Sequence, residues 1–139
     1  MHLRLVPHLA MLLASASIGC SDLGDPYQPK PADSASISFA GDVQPIFNAH
    51  CVLCHGTLVP PPNNLDLRPG NSYANLVGRT SVGYAPNLRV SPGDTLASVL
   101  YGKVTGTNFG EQMPPGFLLI PRPERDRIVA WIAEGAPNN

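Results

Sequence analysis

Two cysteines three positions apart, followed at once by a histidine, stand in the segment Cys51-Val-Leu-Cys54-His55. At the end of a short helix, that spacing sets both sulfurs over one strip about one turn long. From there the two thiols can add across two vinyl groups on one edge of a porphyrin. The next side chain then projects an imidazole toward the metal. The spacing reads as c-type haem attachment. An iron held by one imidazole keeps an open face, and a neutral, soft thioether on that face favours the ferrous state and raises the potential. Beyond the first nineteen residues the only methionine is Met113, in Gln112-Met113-Pro114-Pro115-Gly116. Its two following prolines fix φ and stiffen the loop, which suits the holding of a weak ligand.

Blander chemistries use the same residues. A Cys-x-x-Cys pair can be a thiol–disulfide centre, but such pairs open a helix after a strand in an α/β pattern, and no strand pattern precedes this one. Structural zinc wants four ligands, and besides His55 only His50 and Cys20 remain to help. A plain Cys51–Cys54 disulfide leaves His55 without a role. Met113 can be core filler. His50 adjoins the attachment cysteine and cannot readily reach the far face of a bound ring. Trp131 reads as packing. Arg68, Arg79, Arg89 and Tyr73 are candidates to meet the carboxylates of a haem, or are surface side chains.

The elements that must position these residues are short. The chain has 139 residues, with 13 Gly and 16 Pro, a composition of many turns. Nine Lys+Arg against ten Asp+Glu give a net charge of -1, so there is no basic surplus to neutralise a phosphate backbone and no nucleic-acid partner is expected. Aromatics are only 6%, too little for a thick core in so loop-rich a chain. A coiled coil, a multi-span membrane protein and a basic nucleic-acid binder are excluded.

His2, Arg4 and His8 flank a short apolar run, Leu9 to Ile18, with small residues after it. Such a run is too short to span a bilayer and describes a secretory signal peptide over residues 1–19. The sequence Ser17-Ile18-Gly19-Cys20 resembles a bacterial lipobox, with Ser17 where that pattern usually has Leu. The resemblance implies lipidation at Cys20 and a membrane-anchored mature protein. The alternative is an ordinary signal peptide that contains a cysteine. Residues 20–38, rich in Pro, Ser and Asp, read as a linker. Residues 39–139 form the expected domain, exported to the periplasm or envelope.

Four short helices are expected in it. Asp42 would cap the first, carrying Val43, Ile46 and Phe47 on one face. Ser72 would cap a turn ended by Gly78. Ser91-Pro92-Gly93-Asp94 would open a third, closed by Gly102. Pro123-Glu124 would open the last, with Ile128, Trp131 and Ile132 facing inward. No run alternates with period two, so the fold class is all-α with long irregular connections. Loops of that length ask for something other than protein to organise them.

From about Phe39 to Ala136 the chain resembles a class I c-type cytochrome domain. The Cys51-Val-Leu-Cys54-His55 signature, the later Met113-Pro114 pair and the terminal helix with Trp131 match in order and kind. The resemblance implies one covalent haem c, with thioether links at Cys51 and Cys54, His55 as proximal ligand and Met113 as distal ligand. It implies a small fold of four helices and long loops around that haem, and Ile46 or Phe47 meeting Trp131. The function it implies is outer-sphere electron transfer to redox partner proteins, with no catalytic residue. A five-coordinate haem sensor of small ligands, a peroxidase-like enzyme and a cytochrome subunit of a larger dehydrogenase are the rivals. The chain departs from short soluble members in residues 57–64 and 105–110.

Overall fold

The structure is a computed structural model that describes residues 36–116 and 119–139. The expected signal peptide, Cys20 and most of the linker lie outside the described residues. Within them are four helices and no strand: α1 (Gln44–His50), α2 (Ser72–Leu76), α3 (Val99–Thr105) and α4 (Arg122–Ala133). The all-α expectation stands, and only isolated bridges such as Val77 with Val90 join the connections. No described helix is long and apolar enough to cross a membrane.

The first helical segment begins earlier than Asp42. Ser38 caps it, accepting from the Gly41 N–H at 3.1 Å while its own N–H donates to Asp42 Oδ2 at 2.9 Å. That reciprocal pair satisfies donors that a helix start leaves free. A wide π turn, Phe39–Val43, follows and leads into α1. Pro45 explains the widening. It lacks an N–H and its ring crowds the carbonyl four residues back, so the ladder loosens before the prolyl residue.

The third helix begins later and ends later than its sequence signals suggest. Ser91 to Asp94 fold into a separate turn, in which Asp94 Oδ1 accepts from the Ala97 N–H at 3.0 Å. Ser98 Oγ donates to Asp94 O at 2.7 Å, tying that turn to the start of α3. Gly102 is therefore interior and buried, and Gly106 ends the helix in the left-handed conformation at φ 76°. That is the usual glycine solution to helix termination.

The core gathers on α4. Ile128, Trp131 and Ile132 are fully buried, together with Val43 and Phe47. Trp131 meets Phe39 at 5.1 Å between ring centroids, and Phe39 meets Tyr73 at 5.2 Å and Phe47 at 6.3 Å. Trp131 also meets Tyr73 at 6.4 Å, and Ile46 and Phe47 of α1 belong to the same buried cluster. The earlier helix start adds Phe39 to this inner face. The indole N–H donates to Pro137 O at 2.9 Å, so no polar group is stranded there. The chain's last residue closes this side. Asn139 accepts from the backbone N–H groups of Phe39 and Ala40, at 2.8 and 2.9 Å.

Candidate cofactor site

Cys51 leaves α1 at φ -121°, its N–H still bound to Phe47 O at 2.9 Å. The chain then turns tightly on Cys51 O, which accepts from Cys54 N at 3.1 Å and from His55 N at 2.8 Å. Gly56 follows where a Cβ would stand 2.8 Å from Arg68 Cγ and 2.9 Å from Val52 O, so only glycine lets the turn pass. His55 O accepts from Leu67 N at 2.7 Å. Leu67 O in turn accepts from Gln44 Nε2 at 3.0 Å. The first turn of α1 therefore steadies the strip that carries the histidine.

Met113 arrives from the other side of the sequence, on a loop that follows α3. Its N–H donates to Lys103 O at 2.7 Å. Cys51, His55 and Met113 line one cavity of about 270 Å³, open on one side. Leu67, Leu76, Val99, Val104 and Ile120 give it apolar walls. Cys54 is exposed and stands outside that lining. Both thiols are free.

Burial, with the neighbouring Cys54 adding to it, pushes the Cys51 thiol up to about 12, which disfavours its thiolate, the nucleophilic form. Burial also holds the His55 imidazole below its usual value, and the Arg89 guanidinium adds to the lowering, while the Leu65 backbone opposes it. The ring is thereby kept neutral, the form that binds metals. Its Nδ1 is buried and makes no hydrogen bond of ordinary geometry.

The donor set bears on which group fits. Among the described residues no three His, Cys, Asp or Glu side chains gather into a metal-holding group, so the four ligands of a structural zinc are not assembled there. One imidazole and one thioether suffice only for a metal whose other ligands come with it, as they do in a porphyrin. The residues present fit haem in this respect.

Of the sequence candidates for its carboxylates, only Arg89 borders the cavity. Arg68 is engaged outside by Asp66, with contacts of 2.6 to 3.2 Å. Tyr73 donates to Ala136 O at 2.9 Å in the aromatic cluster. Arg89 is 9% exposed and bonds to backbone carbonyls of Asn63 at 2.7 Å and Asn75 at 2.8 Å. No acidic side chain pairs with it among the described residues. His50 Nε2 pairs with Glu124 Oε2 at 2.7 Å, pinning the end of α1 to the start of α4.

Ser81, Tyr84 and Lys103 also border the cavity, and the sequence singled out none of them. Lys103 lies one turn before a helix-ending glycine, and placing that end at Gly106 would have pointed to it. Tyr84, in an irregular connection, carries no such signal. No family model, curated protein or solved structure matches this chain, so its residues and their geometry carry the functional reading.

Proposed function

We propose that the domain binds one haem c covalently and serves as an electron carrier at the cell envelope. One observation carries this reading: Cys51 and His55, close in sequence, and the distant Met113 border a single, largely apolar cavity. Haem, when bound, supplies an iron couple that exchanges one electron at a time. Cys51 and Cys54 would hold it by thioether bonds, each S–H adding across a vinyl group so that nothing leaves. His55 and Met113 would be the residues that ligate the iron. Leu67, Leu76, Val99, Val104 and Ile120 exclude water, which keeps charge reorganisation small. Arg89 offers a buried positive charge without an acidic partner, suited to a ligand bearing carboxylates.

A cytochrome c-like arrangement of loops around this group, with redox proteins as partners, follows from the same reading; a lipid anchor at Cys20 is proposed separately, on the lipobox resemblance of Ser17 to Cys20. Met113 on the cavity wall favours a six-coordinate carrier over an open-faced sensor. Carbon monoxide decides between them. The reduced protein, matured in a host that attaches haem, is expected to show low-spin bands and no reaction with the gas. Ready binding would replace the carrier reading with the sensor.

A further inference from the structure

The last turn of a helix leaves carbonyl groups without intrahelical donors, and in α3 these carbonyls are occupied by one loop. Gly102 O accepts from Gly106 N at 2.8 Å and Thr107 N at 3.2 Å. Lys103 O accepts from Met113 N at 2.7 Å. Val104 O accepts from Gln112 Nε2 at 2.9 Å. The Lys103 ammonium reaches the same loop from its own side, donating to Glu111 O at 3.1 Å and to Tyr84 Oη at 2.9 Å. Three consecutive residues, Glu111 to Met113, are thus fastened to two consecutive residues of α3.

Two glycines allow the loop to lie so close. A Cβ on Gly102 would stand 2.5 Å from Phe109 Cδ2, and one on Gly106 would stand 2.8 Å from Gln112 Oε1. Phe109 in turn packs edge-on against Tyr84, at 5.3 Å between centroids. The Tyr84 ring also receives the Lys103 ammonium, 4.9 Å from its centre. The loop is therefore a docked unit with one polar fastening and one aromatic fastening. Met113 is the residue it delivers to the cavity.

We infer that Lys103 and Gln112 are positioning residues for Met113: they dock residues 107–113 on the end of α3 and so hold the thioether at the cavity. This rests on Met113 being the distal iron ligand. Undocking of the loop withdraws the thioether and admits small external ligands. Their apparent affinity then reports the undocked fraction. Removing a hydrogen bond from a charged donor raises that fraction about tenfold.

The test uses ferric holoprotein titrated with imidazole, with the thioether–iron charge-transfer band followed in parallel. Both loop variants are expected to weaken the band and to bind imidazole more tightly than the wild type, about tenfold for Lys103→Leu and about fivefold for Gln112→Leu, which loses a neutral donor. Glu124→Gln, which loosens the α1–α4 contact instead, is expected to leave both readings unchanged. Unaltered band and affinity in folded loop variants would overturn the docking role and leave Met113 as ligand. An equal shift in Glu124→Gln would overturn it too, since the cause would be general loosening. Absence of the band in the wild type would overturn the ligand assignment itself. If the lysine variant does not mature, Gln112→Leu alone decides.

Discussion

The two flanks of this domain are built differently. On the α4 flank, Trp131, Phe39, Tyr73 and Phe47 fill the space, and Asn139, Pro137 and Ala136 tie the chain end over them. On the α3 flank, aliphatic walls surround a cavity, and its polar wall groups bond to backbone rather than to acids. Side chains complete the first flank; the second leaves a cavity, the space the proposed haem would fill. Among the described residues Phe39, Phe47, Tyr73 and Trp131 fill the packed flank, whereas Tyr84 and Phe109 pair beside the cavity.

The largest expected effect comes from withholding the cofactor. Protein produced without haem attachment should lose hydrogen-exchange protection throughout the α3 flank and be readily digested by protease. A protease-resistant apo form protected equally on both flanks would erase the contrast. Next is Trp131→Ala, which empties the packed flank. It should destabilise the holoprotein by about 3–5 kcal/mol in denaturant unfolding, whereas a value under about 1 kcal/mol would mean that the aromatic cluster is not the framework described here. Met113→Ala should cost less stability but lower the reduction potential and let the ferrous protein bind carbon monoxide. An unchanged potential would remove Met113 from the site.

The smallest effects belong to polar contacts at the surface. Glu124→Gln breaks a half-exposed pair with His50 and should cost roughly 0.2–1 kcal/mol, measured as a shift in denaturant midpoint. Asp66 tests pH dependence. Its hydrogen bonds from the Arg68 side chain, and those from the Arg68 backbone and Asn71, hold its carboxyl well below the usual range. A carboxyl depressed on folding stabilises above its unfolded pKa, and that contribution is lost as pH falls through the folded value. Asp66→Asn should therefore slightly lower the melting temperature at neutral pH and reduce its decline below about pH 4. A variant that matches the wild type at both pH values would show that this contact contributes nothing to folding.

The Cys51–His55 segment stood out in the sequence because two thiols and an imidazole within five positions need no tertiary knowledge, and the structure adds that Cys51 and His55 share a cavity with Met113. The inward faces of α1 and α4 were legible from their apolar spacing. The start of the first helix was not, because Pro45 looks harmless in a first turn, and only the capping by Ser38 reveals a π turn upstream. The end of α3 was misread at Gly102. A glycine there serves close approach by Phe109, whereas Gly106 is the one that needs the left-handed conformation. The cavity's polar wall was hidden for a similar reason. Arg89 differs from Arg68 and Arg79 only in what folds around it.

The intact mass of the matured protein tests the central claim most directly. The account predicts a mass exceeding that of the processed chain by one haem, an excess that disappears when Cys51 and Cys54 are both replaced by alanine. A wild-type product from a haem-attaching host that carries no added mass would contradict it.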